Sequence, residues 1–232
     1  MREKLSSHSE DYLKALYELG SSDISTQALA DKLEFKPGSV TGMLKKLVEL
    51  GLVKHEPYQG ASLTETGQKI ALELLRHHRL LETYLHQALG YNLHELHDEA
   101  DKLEHHISED FEARIDAILG HPTHDPHGDP IPTLDGLIPK FASRPMAAMF
   151  VGENATLGRI TGQSPEFLKH VALLGLTPNA KIKMLEVSLA AGTITFEADG
   201  VAVHTLSLEA AGKLFVFEGT PEEMLEETMV RS

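Results

Sequence analysis

Seven of the eleven residues in LHDEADKLEHH, positions 96–106, carry a group that can bind a metal ion: His97, Asp98, Glu99, Asp101, Glu104, His105 and His106. In a helix, positions i, i+3 and i+4 share a face. Asp101, Glu104 and His105 fit that spacing, and His97 lies one turn earlier. A solvated helix face sets lysines one turn from its acids, whereas here Lys102 is the single base among four acids between 98 and 104. Like charges so clustered are unfavourable unless a cation binds among them. HHRLLE, residues 77–82, offers a second pair, His78 and Glu82, at i and i+4. Two antiparallel helices with such faces can set them against one another. Spacing alone leaves both readings open, an acidic solvated helix and a metal site. Carboxylate and imidazole donors without sulfur suit Mn²⁺ or Fe²⁺ before Cu⁺. Zn²⁺ binds the same donors at least as tightly, so selectivity would rest on geometry and cellular supply.

Those side chains need a scaffold. Residues 8–20 repeat Tyr12, Leu13, Leu16, Tyr17 and Leu19 at helical spacing, and Gly20 closes the helix. Ser25 or Thr26 caps a second helix, with Ala28, Leu29 and Leu33 as its stripe. After the break FKPG, Val40, Met43, Leu44, Leu47 and Leu50 share one face of a third helix, and Gly51 sits at a C-cap position. LVKHEPYQGASLTETG alternates around Tyr58-Gln59-Gly60 as a short hairpin. Helix, helix, turn, helix, hairpin is the order of a winged helix-turn-helix.

A long helix follows at about 67–89, with Ile70, Leu74, Leu81 and Leu85 inside. Another covers about 93–119, where Leu96, Ala100, Leu103, Ile107, Phe111, Ile115 and Ile118 read as core or subunit interface. Residues 120–145 are dense in Pro and Gly and read as loop and linker, with His121, His124 and His127 as linker histidines. His106 reads as a packing or capping residue. KIKMLEVS, TITFEA, VAVHTLS and KLFVFE alternate as short strands of a small β-barrel of about 80 residues, its core including Phe150, Phe196, Phe215 and Phe217.

The 232 residues hold no cysteine, so disulfides, thiolate metal sites and cysteine nucleophiles are excluded. No apolar run approaches the roughly 18 residues needed to cross a membrane. The start, MREKLSSHSEDY, lacks the apolar core of a signal peptide, so a cytoplasmic protein is expected. The net charge of −14 speaks against a general polyanion binder, but it is unevenly spread. Residues 73–140 hold 14 acids against 5 bases and 10 of the 14 histidines, while residues 1–72 are nearly balanced, with 10 acids and 9 bases. A near-neutral first third can still present a basic face.

Taken in order, the winged helix, the helix pair bearing HHRLLE and LHDEADKLEHH, and HGDPIP resemble the diphtheria-toxin-repressor / manganese-transport-regulator family of metal-activated, dimeric transcription regulators. The resemblance runs from about residue 8 to about residue 132. The last 85 or so residues, chiefly through LKHVALLGLTPNAKI, resemble the SH3-like, iron-transport-associated domain of some members. The implied architecture is α+β and multidomain. A winged helix-turn-helix covers 1–72, a helical metal-binding and dimerisation domain 73–140, and a small SH3-like β-barrel 145–232.

The resemblance also implies ligands. Asp11 falls where manganese-type members have aspartate and iron-type members methionine. Asp101 falls where they have glutamate and cysteine respectively. Glu104 and His105 match ligands shared by both types. His78 and Glu82 match the helix that supplies further ligands, and His97 the ancillary-site histidine of iron-type members. The C-terminal domain of such members can add a Glu and a Gln, for which Gln163 and Glu166 are the nearest counterparts. Lys14 stands where manganese-type members have a second-metal glutamate, which points to separate primary and ancillary sites. Oxygen at Asp11 and Asp101 in place of sulfur favours Mn²⁺, with Fe²⁺ as the alternative ion.

The helix at 38–50 is then the recognition helix. Val40, Leu44 and Leu47 face inward, leaving Lys36, Ser39, Thr41, Gly42, Lys45 and Lys46 toward double-stranded operator DNA. Gly42 offers no side chain to read a base, so DNA shape shares in the specificity. The wing, with Lys54 and His55, would touch backbone or minor groove. An ion joining Asp11 to Asp101, Glu104 and His105 would tie each reading head to the core of a homodimer. Without it, repulsion among Asp11, Asp101 and Glu104 is expected to loosen the first helix. The rival readings are a carboxylate/histidine metalloenzyme and a metal buffer. The paired Glu-x-x-His of di-iron bundles and the His-Glu-x-x-His of zinc proteases are both absent, and a buffer leaves the winged helix without a purpose.

Overall fold

The computed structural model describes residues 5–56, 60–139 and 142–217. The chain forms two compact units. The first gathers residues 1–78, 101–112 and 132–137; the second gathers 79–100, 113–131 and 138–232.

In the first unit, α1 (Ser7–Glu18), α2 (Thr26–Leu33) and α3 (Pro37–Glu49) precede a hairpin of β1 (Val53–Glu56) and β2 (Gly60–Leu63). Each helix starts where local chemistry allows. Ser6 and Ser25 accept the Ser9 and Ala28 backbone N–H groups as N-caps, and Pro37 occupies the first turn of α3, where its missing N–H has no partner to lose. Leu13, Leu16, Leu29, Val40, Leu44, Leu47 and Leu52 are completely buried in one core, each contributing about 1.5–3 kcal/mol. Val53 pairs with Leu63 and Glu56 with Gly60 in an antiparallel register. The expected wing residues Tyr58 and Gln59 lie outside the described residues. Thr64 then caps α4 (Glu65–Leu89): its hydroxyl donates to the Leu52 carbonyl and accepts the Gly67 N–H. Gly67 is fixed by space, since a Cβ there would lie 2.1 Å from the Leu52 carbonyl oxygen.

The helix expected at about 93–119 is broken. A 3-10 turn (Leu93–Glu95) leads into α5 (Leu96–Leu103), and α6 (Glu109–Ile118) follows a turn at residues 104–108. Ser108 ends the continuity, because its side chain accepts the Phe111 N–H and its carbonyl the Glu112 N–H, which is N-cap chemistry. The apolar stripe is also not all core: Ile115 is buried, but Phe111 and Ile118 are exposed.

The second unit holds a six-stranded antiparallel sheet in the order β3-β8-β4-β5-β6-β7. The strands are β3 (Arg144–Pro145), β4 (Asn154–Ile160), β5 (Lys181–Ser188), β6 (Thr193–Ala198), β7 (Ala202–Ser207) and β8 (Leu214–Phe217), accompanied by α7 (Pro165–Leu173) and α8 (Leu208–Ala211). The alternating segments read from the sequence are β5 to β8. Leu157, Met184, Phe196 and Leu214 are completely buried between the sheet and its helices. Phe150 does not join them. It is 77% exposed in the turn before β4. Among the described residues, no helix is long and apolar enough to cross a membrane.

Candidate metal centres

In the first unit, α1 brings Glu10, Asp11 and Lys14 to the turn that follows α5. Because the helix stops at Leu103, Glu104 and His105 do not continue the helical face on which Asp101 lies. The turn aims His105 back at α1 instead. His105 Nδ1 stands 2.6 Å from Glu10 Oε2, and Nε2 stands 3.0 Å from Asp11 Oδ1 and 3.7 Å from Glu104 Oε1. Asp11, Glu104 and His105 each offer an atom within 4.8 Å of the others. Burial pushes the His105 ring down, but Asp11 and Glu10 carry it up to about 9.

Glu104 is almost fully buried and holds more than one partner. The Lys14 ammonium lies 2.9 and 2.8 Å from its two oxygens and 2.9 Å from Asp101 Oδ1. His78 Nδ1 is 2.5 Å from Glu104 Oε2 and 3.2 Å from Asp101 Oδ1. Burial would discharge Lys14, yet Glu104 and Asp101 outweigh it and raise its pKa. His77 donates from Nδ1 to the Glu104 carbonyl at 3.1 Å, and its Nε2 faces Glu112, which also takes Arg76. This buried bracket locks the turn. Glu112 is pushed up by burial but held below its ordinary value by His77 and Arg76.

In the second unit, Glu82, Asp125 and His127 form another group within 4.8 Å, all three buried. His127 Nε2 donates to the Leu93 carbonyl at 3.0 Å. Its Nδ1 is buried, makes no hydrogen bond and stands 3.6 Å from Glu82 Oε2. With Nε2–H given to the Leu93 carbonyl, the neutral ring would turn its Nδ1 lone pair into the group. Burial pushes His127 down, but Glu82 carries it up to about 9. Burial, with Glu82 and Asp129 nearby, pushes the Asp125 carboxyl up to about 8. The Asp125 carboxylate accepts the His127 and Asp129 N–H groups, which pins the loop. His97 Nδ1 is 3.8 Å from Glu82 Oε1. Asp125 also lines a cleft of about 1320 Å³ that opens to solvent.

The structure thus brings Asp11, Glu104 and His105 together, and sets Asp101 and His78 around Lys14. It brings His97 toward Glu82. Gln163 and Glu166 are exposed and join no such group among the described residues, Glu166 lying in the first turn of α7. His127 is a correction to the linker reading. It is 1% exposed, because Gly128 at φ +86° packs so closely on the Gly158 backbone that the loop is drawn into the unit. Asp125 was not singled out from the sequence at all. The signal was Asp125-Pro126-His127, and its Pro-rich setting concealed it. Glu10 was also missed, being masked by its neighbour Asp11. His106 is exposed, its ring 6.4 Å from that of His105. On α3 and at its N-cap, Lys36, Ser39, Gly42, Lys45 and Lys46 are exposed and Thr41 is half-buried, its hydroxyl donating to the Pro37 carbonyl.

Three family domains match in succession. The N-terminal DNA-binding domain of iron-dependent repressors matches residues 4–61, their metal-binding and dimerisation domain residues 64–133, and the FeoA domain residues 144–217. An HTH-type transcriptional regulator of Methanocaldococcus jannaschii is 39% identical over 113 residues, 47% of this chain and 90% of that protein. The diphtheria toxin repressor of Corynebacterium efficiens is 34% identical over 127 residues, 54% of this chain and 55% of that protein, so the match spans about half of its length. Among solved structures, a manganese-dependent transcriptional repressor in complex with manganese superposes with a TM-score of 0.81 at 37% identity, covering 90% of this chain and 98% of the other. A winged helix followed by carboxylate–imidazole groups and a FeoA domain is the architecture of metal-dependent repressors. The chain belongs to the diphtheria-toxin-repressor / manganese-transport-regulator family.

Proposed function

We propose that the chain is a cytoplasmic, Mn²⁺-dependent transcriptional repressor that binds double-stranded operator DNA of metal-homeostasis genes as a homodimer, with the metal as corepressor. One observation carries this reading. Asp11, on the first helix of the winged helix-turn-helix, meets Glu104 and His105 of the metal-binding and dimerisation segment within 4.8 Å. The donor set fits a hard or borderline divalent ion: two carboxylates and an imidazole, no sulfur. It also fits in orientation. With Nδ1–H donated to Glu10, the His105 Nε2 lone pair is left to face Asp11 and Glu104. A bound Mn²⁺ would supply the positive charge that fastens Asp11 to the 104–105 turn. The same donors accept Fe²⁺, which is the alternative ion. A relative of known structure holds Zn²⁺, in keeping with the usual affinity order.

Glu82, Asp125 and His127 are assigned as a second site, on the His127 Nδ1 that is buried among carboxylates without a hydrogen bond. His97 flanks it. Asp101 and His78 support the first site through Glu104 and Lys14. No ligand role is assigned to Glu166 or Gln163.

On α3 and at its N-cap, the exposed Lys36, Lys45 and Lys46 neutralise phosphates and Ser39 donates to them. Thr41 is turned to its own helix, so readout rests more on position and DNA shape than on a row of base contacts. The exposed Phe111 and Ile118 of α6 are assigned to the homodimer interface. Asp11 links the two functions. Fastening it orders α1, which shares one buried core with α3 through Leu13, Leu16 and Leu44. The coupling expected of such a device is about 1–3 kcal/mol.

The test is an electrophoretic shift on promoter DNA of metal-transport genes, with and without Mn²⁺. Wild type should shift the DNA only with Mn²⁺, and Asp11→Ala should lose that response at limiting Mn²⁺. An Asp11→Ala protein that binds as wild type does would refute the assignment. A shift with Zn²⁺ alone would refute Mn²⁺ as corepressor.

A further inference from the structure

Lys14 lies on α1 one turn beyond Asp11, and its side chain is only 11% exposed. Its ammonium meets three carboxylate oxygens, both of Glu104 at 2.8 and 2.9 Å and Asp101 Oδ1 at 2.9 Å, with His78 Nδ1 3.1 Å away. An ammonium has three protons to donate, so these three oxygens saturate it. Glu104 is also one of the three donors assigned to the first metal site. One buried carboxylate therefore faces two positive charges, one built into the chain and one acquired. Like charges that share a counter-ion at this range repel strongly in a partly buried site.

This arrangement changes an expectation from the sequence. Asp101 and Glu104 do not stand as bare repelling carboxylates beside α1, since the Lys14 ammonium between them offsets part of their charge and itself ties α1 to Asp101 and Glu104. We infer that Lys14 is a resident counter-cation that sets the metal threshold of the first site. It holds α1 in place by its own charge and makes the divalent ion bind against that charge. The inference rests on the first-site reading above. A purely structural Lys14 would hold Glu104 ready for the ion, and its loss would weaken metal binding. A competing Lys14 predicts the reverse.

The experiment titrates the full chain with Mn²⁺ alone, by calorimetry, in wild type, Lys14→Met, Lys14→Arg and Asp11→Ala, with thermal melting of each. Removing one unit charge this close should tighten first-site binding by about tenfold or more, while Lys14→Arg stays near wild type. In the operator shift, Lys14→Met should respond at lower Mn²⁺ than wild type, in step with its tighter Mn²⁺ binding in calorimetry. A structural lesion would weaken both arms. Equal or weaker Mn²⁺ binding by Lys14→Met, with Asp11→Ala defective, overturns the inference and leaves the site assignment standing. Asp11→Ala binding like wild type overturns the site itself. Should Lys14→Met not fold, the ¹⁵Nζ resonance of Lys14 in wild type decides. It should move when Cd²⁺, a diamagnetic probe, fills the first site, and a resonance that stays put overturns the inference.

Discussion

Glu10 Oε2 lies 2.6 Å from His105 Nδ1, and Glu10 is only 4% exposed. A buried carboxylate so placed fixes which imidazole nitrogen carries the hydrogen and which way the ring faces. Glu10→Ala should leave the number of bound ions unchanged but weaken Mn²⁺ binding at the Asp11 site by about 10–100-fold, the usual effect of losing such a partner. Calorimetry at constant pH checks this, and wild-type affinity would show that Glu10 orients nothing.

His127 is buried, and its Nδ1 makes no hydrogen bond but stands 3.6 Å from the Glu82 carboxylate. His127→Ala should lower the ions bound per chain by one, measured by elemental analysis after desalting. The Asp11-dependent DNA response should survive. The same change should also destabilise the fold by about 1–3 kcal/mol, because the Leu93 carbonyl and the Glu82 carboxylate lose a partner.

Gly42 is exposed in the middle of α3, and a Cβ there would touch nothing within 4 Å. Gly42→Ala should therefore stabilise the helix by about 0.5–1 kcal/mol, raising the melting temperature by roughly 1–4 °C. Lys46, exposed on the same helix, is a phosphate contact in the proposed complex. Lys46→Glu should weaken binding across all DNA sequences and reduce the salt slope by about 1. An unchanged slope would remove Lys46 from the interface.

Glu18 on α1 pairs with Lys32 on α2 at 2.8 Å. Burial pushes the Glu18 carboxyl up, but Lys32, with Lys14 and His78 adding, holds it below its ordinary 4.5. A carboxyl lowered on folding stabilises the native state above its unfolded pKa, and that contribution fades as pH falls through the folded value. Lys32→Met should thus lower the melting temperature at pH 7 and make little difference at pH 3. An equal effect at both would mean that the pair does not carry the stability.

The periodicity of α1 to α3 was legible because each stripe, such as Val40, Leu44 and Leu47, records burial directly in the order of residues. Strands β5 and β6 showed themselves by alternation for the same reason. Strand β4 did not, since NATLGRI mixes Gly and Arg into an otherwise buried inner strand. The break at 104–108 was hidden because an i, i+4 pattern continues across it, and only the Ser108 cap shows that the helix has ended.

Donor chemistry was therefore determined by the sequence alone: carboxylates and imidazoles without sulfur, spaced around a winged helix. Which donors meet was decided only by the tertiary structure. His105 reaches Asp11 across more than ninety residues, Lys14 takes Asp101 and Glu104, and a histidine in a Pro-rich loop is drawn inside beside Glu82. The reason is that spacing along a chain fixes the face of one helix, whereas a metal site requires atoms from several elements, and only packing sets the distances between them.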